Sequence, residues 1–256
     1  MTTDARKVAL VTGAAKRIGR TVALALARRG WDVVVHYNRS AEEAATTVRE
    51  IEALGRRALA VRCDLSDEAA VKALLPDAAR AVGTPISCVV NNASLFEHDC
   101  AADFSLARLD AHMHANLAAP VLLAQALHEM TPAGAQGVVV NLLDQKLFNL
   151  NPDFLSYTLS KAALQCATTM LAQALAPTLR VVGVAPGITL VSGDQTEEGF
   201  AKAHTKTPLG RSSTPDDVAA TVCFVADNPA ITGTTILVDG GQHLIPLQRD
   251  VMFIAQ

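Results

Sequence analysis

The sequence predicts an α/β fold: a doubly wound, seven-stranded parallel sheet with helices on both faces, in a single domain spanning residues 1–256. Three observations predict it. Seven short, nearly all-apolar, β-branched runs recur along the chain, with alanine- and leucine-rich segments of helical spacing between them. Half of the 256 residues are hydrophobic and only 18% are charged, enough apolar surface to cover a sheet on both sides. Strand, helix and strand repeated in this way imply right-handed crossovers, and such sheets take their ligands at the carboxyl ends of the strands.

The runs are "VALVT" (8–12), "DVVVH" (32–36), "ALAVR" (58–62), "SCVVN" (87–91), "GVVVNLL" (137–143), "RVVGVA" (180–185) and "TTILVD" (234–239). Between the first four lie "RTVALALARR", "AEEAATTVREIEALG" and "DEAAVKALLPDAARAVG". Ser40 and Ser66 stand where N-caps are expected, and Gly30, Gly55 and Gly83 where helices end. The stretch 188–213, rich in Thr, Ser, Gly and charge, reads as a loop or short helices covering the site.

After the first strand comes "TGAAKRIGR", Thr12 to Arg20. Gly13 permits a tight turn, Gly19 permits close backbone approach, and the helix that follows offers unpaired N–H groups and the positive end of its dipole to a pyrophosphate. Lys16, Arg17 and Ile18 lie between the two glycines, with arginine at 17 where the usual dinucleotide pattern has another glycine. The second strand ends in His36, Asn38, Arg39 and Ser40, with no acid before Glu42. An NAD site typically places Asp or Glu there for the ribose hydroxyls, whereas arginine and serine suit a 2′-phosphate, so the expected cofactor is NADPH. Asp64 and Leu65 follow the third strand; Asp64 is placed either to accept a bond from an adenine amino group or to cap the next helix. Asn92, Ala93 and Ser94 follow the fourth, where small residues let a ribose approach, or where an Asn pair simply makes a turn.

In "NLLDQKLFNLNPDFLSYTLSKAAL" (141–164), Tyr157 and Lys161 stand four apart at the start of a helix, hence on one face. A phenol with an ordinary pKa near ~10 moves protons at neutral pH only if its surroundings help, and a nearby ammonium favours the phenolate. Thirteen residues before the tyrosine stands a carboxylate, Asp144.

With "TGAAKRIG", "NNAS", Asn116 in "HANLAAP" and "APG" at 185–187 (Pro186 and Gly187, followed by Ile188), the pair makes the chain resemble the short-chain dehydrogenase/reductase family along nearly its whole length. The resemblance implies a Rossmann fold, hydride transfer with NAD(P)(H), Tyr157 as proton donor, Lys161 binding the nicotinamide ribose while tuning Tyr157, and Asn116 supporting a water relay. Most of that family has a serine at the position of Asp144, donating to a substrate carbonyl; an ionised carboxylate has no proton to donate and repels a developing oxyanion. A substrate with ring N–H groups, protonated at nitrogen during reduction, suits the carboxylate instead.

Asp144, the arginine in "TGAAKRIG", the "HYNRS" loop and the aromatic after "NNAS" together resemble the pteridine reductase branch, with its dihydromonapterin and dihydrofolate reductases. That resemblance implies NADPH-dependent reduction of a dihydropterin or dihydrofolate. The ring would stack on Phe96, unless Phe96 is plain core, with Ser94 and Arg17 near cofactor phosphate or substrate and Asp144 and Tyr157 delivering the proton. Leu147 and Phe148 are further candidates to border the substrate. A carbonyl reductase, acting on a 3-oxoacyl thioester or a sugar ketone, and a non-catalytic NADPH-sensing protein are the alternatives.

A net charge of −3 without like-charge blocks disfavours nucleic-acid and membrane partners and favours a small molecule. Five scattered cysteines without a C-x-x-C pair disfavour a metal site or disulfides, and the early charges Asp4, Arg6 and Lys7 disfavour a signal peptide. No window reaches the ~20 apolar residues of a membrane helix. A cytoplasmic protein is expected. The tail "IPLQRDVMFIAQ" (245–256) is apolar enough either to pack on another subunit, as the homotetramer implied by the resemblance requires, or to dock on its own.

Overall fold

A computed structural model describes residues 6–192 and 195–254. Asp4, Gly193 and Asp194 of the 188–213 stretch, and Ala255 and Gln256 of the tail, lie outside the described residues.

All seven apolar runs are strands: β1 (Val8–Val11), β2 (Asp32–Tyr37), β3 (Ala58–Arg62), β4 (Cys88–Asn91), β5 (Gly137–Leu142), β6 (Leu179–Pro186) and β7 (Thr235–Val238). They form one parallel sheet in the order β3-β2-β1-β4-β5-β6-β7. Because side chains alternate along each strand, neighbouring residues feed opposite layers. Ala9, Val11, Val33, Val35, Val90, Val140 and Val182 pack under helices α1 (Arg17–Arg28), α2 (Ala41–Ala53) and, further along the chain, α8 (Pro215–Asp227). Val8, Leu10, Val34, Val89, Val139 and Val181 pack under α3 (Glu68–Val82) and α5 (Ala119–Met130), and the C-terminal end of α6 (Leu155–Ala174) closes that layer. Double-sided burial is why the strands read as continuous apolar runs.

The sheet order reverses between β1 and β4, so the two chain segments leaving those strands diverge and open a crevice at their carboxyl ends. Before α5 the chain runs through α4 (Leu106–Met113) and a π-helical turn, His114–Ala118. In the 188–213 stretch a further helix, α7 (Glu197–Thr205), forms because Thr196 caps it, accepting from Gly199 N at 3.0 Å. A last helical turn, α9 (Val251–Ile254), follows β7.

Several cap assignments shift. Asp67, not Ser66, caps α3, accepting from Ala70 N at 3.1 Å, because a carboxylate one residue later reaches the orphan N–H. Ser40 stands at the start of α2 without a side-chain capping bond. Gly83 is the left-handed C-cap of α3, while Gly30 and Gly55 follow the C-caps Arg29 and Leu54 by one residue.

Candidate active site

The turn after β1 is held from behind by hydrogen bonds within the protein. Thr12 is buried; its Oγ1 accepts from Asn92 N and Ala93 N, both at 2.9 Å, and the Asn92 amide donates back to Thr12 O at 2.8 Å. Gly13 takes φ +62, and a Cβ there would press on Ala93 Cα at 3.1 Å; at Gly19 a Cβ would collide with Gly13 O and the Asn92 amide. His36 Nδ1 accepts from Gly13 N at 3.0 Å and Nε2 lies 3.1 Å from Cys63 O, so Nε2 carries the proton. His36 therefore braces the turn from behind, and burial lowers its basicity. Of the expected cofactor residues, His36 and the Asn92 side chain are thus engaged within the protein.

Arg17 has φ +56 at the position where the usual pattern has glycine. Its guanidinium donates to Val191 O at 2.8 Å and Ser192 Oγ at 3.3 Å, tying the turn to the 188–213 segment. Lys16, Arg17, Arg20 and Arg39, together with Glu42 and Glu43, line an open depression between the turn and the end of β2. Arg20 is paired with Glu50 at 2.6 Å, which leaves Lys16 and Arg39 as the cations placed to meet a phosphate on a ribose. Asn38 and Arg39 are exposed, and Ser40 is partly buried. Asp64 is exposed and accepts from Ser66 N and Oγ at 2.9 and 2.7 Å, a turn ahead of α3 and not the helix cap, which is Asp67; Leu65 beside it is partly buried. A Cβ on Gly187 would run into Ser212, Gln242 and Asp239, so the chain can follow Pro186 this closely only as glycine. Glycine cradles and cationic rim together fit a dinucleotide.

Beyond the crevice lies a cavity of about 480 Å³, within the usual range for a small-molecule site. Arg17, Ile18, Ser94, Phe96, Asp144, Tyr157, Pro186, Gly187 and Ile188 all line it. Tyr157 Oη donates to Asp144 Oδ2 at 2.8 Å, and Asp144 Oδ1 accepts from Lys146 N at 2.8 Å, capping the 3₁₀ turn Gln145–Phe148. Lys161 Nζ donates to Leu142 O at 2.7 Å, 5.8 Å from the Tyr157 ring centroid.

The electrostatics depart from the sequence-based expectation that Lys161 lowers the phenol. Burial, then the Asp144 carboxylate, hold Tyr157 well above the ordinary tyrosine range. Burial also raises Asp144 and pushes Lys161 down to about 8. The tyrosine is thus a standing proton donor, hydrogen-bonded to an acceptor. Asn116, in the π turn, spends its amide on Leu95 N (2.8 Å), Leu95 O (3.0 Å) and Ser160 Oγ (3.0 Å), joining the β4 loop to the tyrosine helix. Ser94 Oγ lies 3.2 Å from Asn116 Oδ1.

Phe96 stacks on Phe154 (4.3 Å between centroids, 14° between planes) and meets Tyr157 edge-on at 4.7 Å. It remains 39% exposed, so its plane is fixed while part of the ring still borders the cavity. Phe148 instead turns to His243, and Leu147 packs with Leu143, Leu164 and Ala185; neither borders the cavity, because the 3₁₀ turn rotates them away. Gln145, Lys146, Gln242, Asp250 and Val251 line the cavity and escaped the sequence reading. Gln242 Oε1 accepts from Ile188 N at 3.0 Å. Lys146 and Asp250 are separated by more than a hundred residues and follow no motif, so no local signal marks them.

A family model described as enoyl-(acyl carrier protein) reductase matches residues 13–243. The chain belongs to the short-chain dehydrogenase/reductase family. A 3-oxoacyl-[acyl-carrier-protein] reductase from Synechocystis is 34% identical over 246 residues, 94% of this chain and 98% of its own. Among solved structures, FolM alternative dihydrofolate reductase 1 from Brucella canis, complexed with NADP, superposes with a TM-score of 0.91 at 41% identity, covering 96% of this chain and 97% of that one. The corresponding Brucella suis structure, also with NADP, gives 0.90 at 41% identity, covering 98% and 99%. As a short-chain dehydrogenase/reductase with the Rossmann-type sheet, the chain is an oxidoreductase on the pteridine-reductase-like side of the family.

Proposed function

We propose that this short-chain reductase uses NADPH to reduce a dihydropterin or dihydrofolate to the tetrahydro form. The observation that carries the reading is the Tyr157 hydroxyl donating to the Asp144 carboxylate at 2.8 Å in the wall of the cavity. The glycine turn and Gly187 would hold the pyrophosphate and nicotinamide side of NADPH, Arg39 and Lys16 its 2′-phosphate, and Lys161 its ribose. Bound there, NADPH supplies a hydride.

The chain's own groups handle the proton. A ring nitrogen taking electron density as its neighbouring carbon is reduced needs a donor, and Tyr157 is held protonated beside Asp144, which relays the replacement proton. The carboxylate also accepts from ring N–H groups, which a ketone lacks. Phe96, immobilised by Phe154, offers its free part to a flat heteroaromatic ring; such contacts are worth about 0.5–1.5 kcal/mol beyond burial. Arg17 and the 188–213 segment cover the ring.

The kinship with the Synechocystis 3-oxoacyl reductase supports a second reading, reduction of a carbonyl. Steady-state NADPH oxidation with 7,8-dihydrobiopterin, dihydrofolate and a 3-oxoacyl thioester separates the two. Turnover of the thioester with neither pteridine consumed would sink the first reading, and so would an Asp144→Ser variant with undiminished pteridine turnover. We further infer a cytoplasmic homotetramer. It is supported by the five free cysteines and by the exposed Leu159, Met170 and Phe224 on α6 and α8. Sedimentation of the full chain at a monomer's mass would refute the assembly.

A further inference from the structure

Lys146 is a buried cation that the mechanism above does not use. Only 3% of it is exposed, and its ammonium meets groups from two distant parts of the chain. It donates to Asp153 O on the approach to α6, pairs with Asp250 Oδ2 at 3.3 Å in the C-terminal segment, and sits 5.3 Å over the ring of Phe154. Its backbone N–H is the group that Asp144 caps. Burying a charge costs more than an apolar side chain of the same length would, so stability alone does not account for a lysine here.

The contacts of Lys146 all lead to the catalytic cluster. Asp153 and Phe154 precede Tyr157 at the start of α6, and Phe154, with φ +55, is clamped between Phe96 and Phe253, whose rings are 4.3 and 6.1 Å away. Asp153 receives Arg249 Nε at 2.8 Å and Asp250 N at 2.7 Å, so the C-terminal segment is fastened beside the cavity and presents Asp250 and Val251 to it. The tail docks on its own subunit here.

We propose that Lys146 and Asp250 are positioning residues: a charge pair that fastens the C-terminal segment to the catalytic turn and sets the electrostatic balance at Asp144. The pair acts on Asp144 with opposite signs. Lys146 stabilises its ionised form, and Asp250 opposes it. The other groups facing Asp144 are Tyr157, bonded to it, and Lys161 from α6, with Arg17 across the cavity. His243, from the neighbouring turn, is bound to Asp239 at 2.7 Å and packs on Phe148.

This inference rests on Asp144 as the proton relay but not on the substrate being a pteridine. The test is the pH profile of kcat/KM for the full-length enzyme, on whichever substrate, dihydrobiopterin or 3-oxoacyl thioester, it turns over. The limb that Asp144 governs is the one abolished by Asp144→Asn. In Asp250→Asn that limb moves to lower pH, and in Lys146→Met it moves to higher pH. The double variant Lys146→Met/Asp250→Asn returns towards the parent. A packing role alone scales kcat or KM without opposed displacements, so unmoved limbs, or limbs moving the same way, overturn the inference. If Lys146→Met does not fold, the downward shift in Asp250→Asn decides it alone. If Asp144→Asn abolishes no limb, the inference falls with the role given to Asp144, whatever the substrate. Absence of pteridine turnover alone removes only the substrate reading.

Discussion

The two walls of the crevice are built by different physics. On the cofactor side, the turn after β1 is set by backbone hydrogen bonds, by glycines where a Cβ would collide, and by the neutral partners Thr12 and His36, both buried, and Asn92, half-buried. On the substrate side, Asp144, Tyr157, Lys161, Lys146 and Asp250 are titratable groups held together by ion pairs, hydrogen bonds and stacked rings. A wall made of backbone geometry binds one shape, and a wall made of coupled charges can be retuned by one substitution.

The sharpest break in the comparison is at Tyr157. Removing its hydroxyl removes the donor and leaves the fold and cofactor wall in place. Tyr157→Phe is expected to lower kcat by about 10²–10⁴-fold, the usual contribution of a positioned general acid, with NADPH affinity unchanged. Stopped-flow turnover combined with fluorescence titration of NADPH checks both halves, and a parallel loss of NADPH binding would show that the walls are not separable.

The cofactor wall breaks differently. Gly19→Val forces a side chain into Gly13 O and the Asn92 amide, both fixed by other bonds. Overpacking of this kind costs about 1–3 kcal/mol, so a lowered unfolding midpoint should accompany loss of NADPH binding. A variant that melts with the parent and binds NADPH normally would show that the turn yields more readily than the hydrogen bonds indicate.

A smaller effect is expected at Arg39. It is exposed, so its attraction to a 2′-phosphate is screened, and its loss should raise KM for NADPH by roughly tenfold with little change for NADH. Equal sensitivity of both cofactors in Arg39→Ala would remove the argument for NADPH selection at the end of β2.

What was legible in the sequence follows the same division. Double-sided strands announce themselves as apolar runs, and all seven were placed to within a residue or two. The glycines of the turn, Tyr157, Lys161 and Asp144 are legible because each chemical need falls at a fixed spacing. Lys146 and Asp250 meet only in three dimensions, and Asp153 receives the tail from 96 positions away, so no window of the sequence contains that wall. The direction of the phenol is hidden for a related reason: the sequence shows the four-residue spacing of Tyr157 and Lys161, but not the burial that outweighs it.

Arg17 belongs to both walls and is where the smallest effect is expected. Its backbone is in the left-handed region on the cofactor side, while its guanidinium reaches Val191 O and Ser192 Oγ over the substrate side. Two substitutions separate these roles. Arg17→Ala removes the latch and keeps a Cβ in an unfavourable conformation; Arg17→Gly removes the latch and relieves the backbone. Both should raise KM for substrate several-fold by freeing the 188–213 segment. Gly should be the more stable of the two by about 1 kcal/mol, since alanine at positive φ is strained. Thermal unfolding of the pair reads the backbone contribution directly, because the lost side-chain contacts cancel. An alanine variant as stable as the glycine would mean that the turn relaxes once the arginine is gone, and that the latch itself holds residue 17 in its left-handed conformation.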